Sequence, residues 1–383
     1  MAEQSSKHVA EPLQKPLLPA CFLHWTEPAN EAGEETLRLA SWRRHLALQG
    51  KSFQEFEQEV IPLLDGTRDI DEICERVAHL FAKEDLLTAF ATLRAQGVLI
   101  EGADYIRSEE QIDRTPQQGW LAETAPAGLV AQGNLQAAKV VLFGAGAHGA
   151  VVARALVAAG IGRLTIIDPT DVAPTDLYFS GLFQAPHVGA NRAEVLCGLL
   201  DQAGGSTQLT PNDTRPSDPS EVVPLISGAN LVLCCLESGE QVLALYLNMA
   251  CKASGTPWIA ASLEGTALVV GPGFFRHDIG ACYMCWKMRE FAAAPNQIAH
   301  NATQAYLNNA QFDLSDRREN LAVAADIVGG MLGAEAISWL SGTSIPNLDG
   351  RFLQIGIPGL KVEKHAVLRV PGCPACDAAQ ATA

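Results

Sequence analysis

The sequence predicts an α/β protein: a mostly parallel sheet covered by helices in its larger C-terminal part, preceded by a small helical domain. Three observations predict it. From Lys139 onward, short apolar runs alternate with helical periods, as in "KVVLFGAG", "GAVVARALVAAG" and "RLTIID". That is the pattern of strands joined by crossover helices. The first strand-to-helix junction carries G-x-G-x-x-G, and residues 53–93 hold three apolar stripes at helical spacing.

The bulk numbers narrow the class. A chain of 383 residues suits two domains of roughly 100–200 residues each. Its 48% hydrophobic and 18% charged residues are ordinary for a globular protein. A net charge of −16 argues against nucleic acid or an anionic membrane as the main partner. The start, "MAEQSSKHVAEPLQKPLLPA", lacks the apolar core of a signal peptide. Residues 321–340 are apolar and long enough to span a bilayer, but Asp326, Glu335 and the Gly and Ala content predict a buried helix. A cytoplasmic location without a membrane partner is expected.

In chain order, residues 1–35 form an N-terminal segment with "CFLHW" as a candidate first strand. Residues 36–105 make the small domain. "TLRLASWRRHLALQG" gives two extended runs, and Ser52 with Glu55 forms an S-x-x-E capping box. Phe53, Phe56, Val60 and Leu64 follow at helical spacing, then Asp69 with Glu72 starts a second helix bearing Ile70, Ile73, Val77 and Leu80. A third helix carries Leu86, Leu87, Phe90 and Leu93 before "QGVLIEG" returns to a strand. This order is winged-helix-like. Residues 106–136 show no sustained period and read as a linker in which Trp120 and Leu121 pack on a domain or on another copy. Residues 137–383 form the α/β domain.

Gly144, Gly146 and Gly149 sit between a predicted strand and helix, and Asp168 ends the next strand. Glycines there permit close backbone approach to an anion at a helix N-terminus, and the acid can bind ribose hydroxyls. A packing turn with a capping acid is the alternative. Ten cysteines in a chain of this class suggest metal or chemistry before disulfides. Cys282-x-x-Cys285 and Cys373-x-x-Cys376 supply the four thiolates that structural Zn²⁺ prefers, with no coordination position left open. A redox pair is the rival. The other six, Cys21, Cys74, Cys197, Cys234, Cys235 and Cys251, read as small buried hydrophobes.

"GAGAHGA", "LTIIDPTDV", "VGANRAEV", the two C-x-x-C pairs and "AADIVGGMLGAEAISWL" together resemble the ThiF/MoeB/HesA superfamily of E1-like adenylating proteins over about residues 136–383. The resemblance implies a Rossmann-like domain binding ATP and Mg²⁺ through Gly144, Gly146, Gly149, Asp168, Arg192 and Glu237. It also marks a departure. The family's Asn falls on Asp176, its Arg on Phe179 and its Lys on Arg192. Phe offers neither the charge nor the forked donors of Arg, and Asp176 is expected to repel an anionic ligand. ATP and Mg²⁺ binding is left open, and no catalytic residue is assigned.

Residues 22–102, above all "LLDGTRDIDEIC" and "LRAQGVLIEG", resemble the PqqD-like RiPP recognition element. That family takes a precursor's leader peptide as an added strand. The resemblance places the peptide on Arg44, His45, Leu46, Ala47 and Leu48, beside Leu87, Phe90 and Arg94. Winged helices also bind DNA, which the acidic chain disfavours.

The combined arrangement resembles the leader-peptide-binding partner proteins of thiazole/oxazole-modified microcin pathways. It implies a non-catalytic homodimer delivering a precursor peptide to a YcaO-type cyclodehydratase. The alternative is an ATP-dependent adenylyltransferase acting on a precursor carboxylate, with Arg276 or Lys287 replacing the missing cation. A sulfuration protein is a third reading, for which the sequence offers no acceptor.

Overall fold

The computed structural model describes residues 13–102, 114–124, 128–179, 181–202, 204–235, 241–264, 267–277, 280–307 and 321–376. These divide into two units, one up to residue 132 and one from residue 133.

The first unit opens with β1 (Pro16–Leu17), then a three-stranded antiparallel meander of β2 (Leu23–Glu27), β3 (Glu35–Ala40) and β4 (His45–Gly50). Leu37 and Leu39 of β3 point into the core, and Leu46 and Leu48 of β4 pack against it. The predicted first helix is broken. It has a short turn α1 (Phe53–Glu55), a π-turn over Phe56–Val60 and a 3₁₀ turn over Ile61–Leu63. The expected Ser52 cap is absent, because Ser52 lies in the left-handed region at φ 61° and its side chain makes no cap bond. Pro62 accounts for the end, since it cannot donate to the preceding turn.

Helix α2 (Ile70–Arg76) does carry its capping box between Asp69 and Glu72. Helix α3 (Lys83–Ala95) buries Leu86, Phe90 and Leu93, and β5 (Ile100–Glu101) returns antiparallel to β1. The linker expectation is corrected in part: α4 (Thr115–Thr124) and α5 (Gly128–Ala137) are helical. Leu121 is fully buried and Trp120 exposed. A short helix rich in Gln and Gly carries too weak a stripe to be seen by period.

The second unit is built on an eight-stranded sheet. Its strands are β6 (Lys139–Phe143), β7 (Arg163–Ile167), β8 (Gln208–Asn212), β9 (Leu231–Cys234), β10 (Trp258–Glu264), β11 (Ala267–Phe274), β12 (Arg351–Gly356) and β13 (Lys361–Ala366). They run in the order β13-β12-β11-β10-β9-β6-β7-β8, parallel from β10 to β8 and antiparallel from β10 to β13. Val140–Phe143 and Leu231–Cys234 are buried along their length, as parallel strands covered on both faces must be.

Between the strands run α6 (Ala147–Ala159), α7 (Asp176–Phe179), α8 (Arg192–Asp201), α9 (Pro219–Leu225), α10 (Gln241–Ser254), α11 (Tyr283–Ala293), α12 (Gln297–Leu307) and α13 (Ala322–Ser341). Among the described residues, α13 is the one helix long and apolar enough to cross a membrane. It lies instead against α6: a Cβ on Gly329 would come within 2.8 Å of the His148 carbonyl, and one on Gly333 within 3.2 Å of Ala155. The two glycines, one turn apart, let the backbones approach.

Candidate functional site

Strand β6 has β7 on one side and β9 on the other, so the chain reverses its direction of winding there. Crevices beyond the carboxyl ends of such strands are where α/β sheets take ligands. The glycine turn sits at that point. Gly144 has φ +92°, a region that favours glycine, and a Cβ on Gly149 would lie 2.0 Å from the Gly144 carbonyl oxygen. Helix α6 can start this close to β6 only without side chains at those positions.

The site's acid is engaged with its own chain. Buried Asp168 accepts from the Ala145 N–H (2.7 Å) through Oδ2 and from the Thr170 N–H (2.9 Å) through Oδ1. The Ala145 amide, part of the turn that would face an anion, is met by an internal carboxylate. Asn191 closes the base of the 168–192 excursion, donating from Nδ2 to the Asp168 carbonyl (2.9 Å) and capping α8 by accepting from the Glu194 N–H.

Arg192 and Asp176 correct the expectation of repulsion at position 176. The guanidinium donates from Nε to Asp176 Oδ2 (2.8 Å) and from Nη2 to Oδ1 (3.0 Å), and from Nη1 to Thr170 Oγ1 (2.9 Å). Both side chains are buried. The cation expected to hold phosphate thus neutralises the acid expected to repel it. Neither residue alone announces this pairing, since 16 positions separate them.

Phe179 is buried against Ala147, at the first turn of α6, and Ala325 of α13, with Leu263 beside them. It is a core side chain where the resemblance places an Arg. Glu237 lies outside the described residues. The two substitute cations are also engaged: Arg276 pairs with Asp349. Lys287 pairs with Glu290 at 2.8 Å and lies 4.7 Å over the Trp286 ring.

Cys282, Cys285, Cys373 and Cys376 come together, all buried, with sulfurs within 4.8 Å of one another. Separations of 3.9 Å (282–285), 3.8 Å (282–373) and 3.5 Å (285–376) are far beyond a disulfide bond of about 2.05 Å. They match the edge of a tetrahedron, roughly 3.8 Å for Zn–S bonds of about 2.3 Å. The donor set therefore fits a structural zinc ion. Cys282 precedes α11 and Cys285 lies in its first turn. The Val370 N–H points at Cys285 Sγ (3.3 Å), and Arg289 donates to the Leu368 and Arg369 carbonyls. Tyr283 and Trp286 carry the site onto the sheet through Trp258, Phe274 and Phe352, with ring centroids 4.8–6.5 Å apart.

In the first unit, Arg44, His45, Leu46, Ala47 and Leu48 lie on or just before β4, an edge strand. Leu87, Phe90 and Arg94 lie on α3. Arg44 donates to the Gly97 carbonyl, joining the start of β4 to the turn after α3. Phe90 is corrected: at 2% exposure it belongs to the core and supports α3 from beneath, while Leu87 is exposed.

A glycine turn at the switch point of a mostly parallel sheet, an acid ending the second strand and a four-cysteine cluster tying the C-terminal segment to α11 define an E1-like α/β protein. The ThiF family model matches residues 121–375. This chain belongs to the ThiF family. It is similar to the SAMP-activating enzyme E1 of Haloferax volcanii, 26% identical over 270 residues, covering 70% of this chain and 89% of the relative. It is also similar to the molybdopterin-synthase adenylyltransferase of Escherichia coli, 25% identical over 248 residues and covering 64% and 89%. In fold it matches E. coli MccB, whose crystal structures include one with ATP (TM-score 0.64) and one with AMPCPP and MccA (TM-score 0.65). Each is 18% identical and covers 94% of this chain and 99% of MccB.

Proposed function

We propose that this ThiF-family chain is a leader-peptide recognition and scaffolding partner of a YcaO-type cyclodehydratase in the maturation of an azol(in)e-bearing peptide. The observation that carries it is the buried Arg192–Asp176 pair, with Phe179 of the same short helix α7 buried against Ala147 and Ala325. A triphosphate needs cations whose charge is available as it binds and reacts. Here the guanidinium at the expected phosphate position is already satisfied by a carboxylate, and a phenyl ring fills the other cation position.

The winged-helix-like first unit supplies the peptide-binding half of the reading. Its edge strand β4, pinned to the end of α3 by Arg44, is the form of surface that takes an extended peptide as an added strand. MccB, similar in fold across both units, has been crystallised with MccA, which supports a peptide as the ligand class. The second unit docks the cyclodehydratase and dimerises, and the complex works in the cytoplasm.

The second reading, an adenylyltransferase, is favoured by the intact glycine turn and Asp168, and by relatives named as adenylyltransferases. Calorimetric titration of ATP with Mg²⁺ into the zinc-loaded protein separates the two. No heat at millimolar ATP is expected of a recognition partner. Micromolar binding would overturn that reading in favour of the enzyme.

A further inference from the structure

We propose that a cavity between α13 and strands β11–β13 binds a free α-amino acid with an apolar side chain, its ammonium group at Glu335 and its carboxylate at Lys364. The cavity has a volume of about 370 Å³, enough for a ligand of that size. Two regular elements form it. Met331, Glu335 and Ser338 stand at i, i+4 and i+7 on α13 and so share one side of the helix. Val270, Leu353 and Lys364 are paired directly across β11, β12 and β13, which puts their side chains in one row on one face of the sheet. All six line the cavity. None belongs to the glycine turn or to the 168–192 excursion.

Charge selects the ligand. Glu335 is 8% exposed, and its partners among the described residues are neutral: the Leu348 N–H donates to Oε1 (2.8 Å) and Asn347 Nδ2 to Oε2 (3.5 Å). A carboxylate has about four lone-pair sites, so acceptor capacity remains for a ligand. A buried carboxylate that no cation answers is also costly. Lys364 lines the same cavity from the edge strand, is exposed, and forms no ion pair among the described residues. Its neighbour Lys361 is the one that pairs with Glu363. The cavity thus holds an acid and a base that do not meet, with Val270, Met331, Leu348 and Leu353 as apolar wall. An ammonium and a carboxylate on one α-carbon, with an apolar side chain, satisfy all three. A ligand with only one of the charges leaves the other group unanswered.

The test titrates L-leucine, leucinamide and 4-methylpentanoate into the full-length chain by calorimetry. Leucine is expected to bind with a Kd below about 1 mM. Leucinamide, which lacks the carboxylate, should bind about tenfold more weakly. 4-Methylpentanoate, which lacks the ammonium, should bind more weakly still, because it leaves the buried acid unanswered. Lys364→Gln, at an exposed position, should weaken leucine to the level of leucinamide and leave leucinamide unchanged. Glu335→Gln keeps an acceptor for the Leu348 N–H and should abolish binding of both. Unchanged circular dichroism confirms that each variant folds, and Lys364→Gln carries the test alone if Glu335→Gln does not fold. Equal binding of leucine and leucinamide, or leucine binding indifferent to Lys364→Gln, overturns the amino-acid assignment. No heat with leucine, methionine or valine at millimolar concentration overturns the site itself.

Discussion

Arg192 and Asp176 meet as a bidentate ion pair from which water is excluded, with Nε–Oδ2 at 2.8 Å and Nη2–Oδ1 at 3.0 Å. Asp168 stands 3.9 Å from Nη1 of the same guanidinium. Two carboxylates therefore share one buried cation, and the N-terminus of α6 supplies the remaining positive potential through the Ala145 amide. This arrangement holds the 168–192 excursion to α8 from the inside. It needs no ligand to be complete.

Removing one partner should be costly. Asp176→Ala removes the bidentate partner of a buried guanidinium and leaves it only the more distant Asp168, 3.9 Å from Nη1, a loss on the order of 3 kcal/mol. Asp176→Leu combined with Arg192→Met replaces both members of the pair by apolar groups and should recover part of that loss, with Asp168 keeping the Ala145 and Thr170 amides as donors. Urea unfolding of the three proteins measures it. If Asp176→Ala costs under about 1 kcal/mol, the pair behaves like an exposed salt bridge and the burial argument fails.

Two glycines make opposite predictions. Gly149→Ala places a Cβ 2.0 Å from a carbonyl oxygen that belongs to backbone. The turn between β6 and α6 must open, so a loss on the order of 3 kcal/mol or more is expected. Gly198, on the exposed side of α8, has nothing within 4 Å of the point where a Cβ would stand. Gly198→Ala should stabilise by about 0.5–1 kcal/mol through helix propensity. Thermal melts of both variants against the parent decide each sign.

The α/β unit was legible because its strands are continuously apolar and its turn is glycine-marked: Val140–Phe143, Gly144 and Asp168 fall where the sequence places them. The cysteine cluster was legible from spacing alone. Three things were not. The helix after Ser52 follows the right stripe, but Ser52 adopts a left-handed backbone that no capping rule foresees. Phe90 repeats at the same helical spacing as the exposed Leu87 side and the buried Leu86 and Leu93 alike, and burial alone separates them. The Arg192–Asp176 pair joins residues from the two ends of a loop, so only the folded base of that loop, with Val172 and Ala190 bonded across it, brings them together.

Cys197 on α8 gives an alkaline signature. Burial, with Asp201 nearby, raises its thiol from 9.0 to about 11. The folded chain therefore holds this proton longer than the unfolded chain does. The stabilisation is fully present below about pH 9 and is lost as pH rises from there to about 11. Buried Cys235 and Cys251 are pushed up further and extend the loss to higher pH. Cys197→Ala should cost about 1 kcal/mol at neutral pH for the space it leaves, and should fall off less steeply between pH 9 and 11. Unfolding midpoints across that range measure it, and an unchanged slope would show that Cys197 does not titrate with folding.

The cysteine cluster makes the sharpest stability prediction, because its sulfurs come from two segments far apart in sequence. Cys282 and Cys285 stand at the start of α11, and Cys373 and Cys376 at the end of the described chain. Without an ion, that end keeps the packing of four buried thiols, the Val370 N–H on Cys285 and the Arg289 bonds to the Leu368 and Arg369 carbonyls among its ties. With one, the closed tetrathiolate supplies folding energy directly. Chelation should thus release one zinc and four reactive thiols per chain, lower the melting temperature, and open residues beyond β13 to protease before the sheet itself unfolds. Cys373→Ser should reproduce the effect, whereas Cys21→Ser, outside the cluster, should not. Cobalt substitution provides a check that does not depend on activity, since a tetrahedral four-sulfur site gives an intense thiolate-to-metal absorption. Metal analysis returning no zinc from protein purified without chelator, together with a melting temperature indifferent to added zinc, would make the cluster a set of packed thiols.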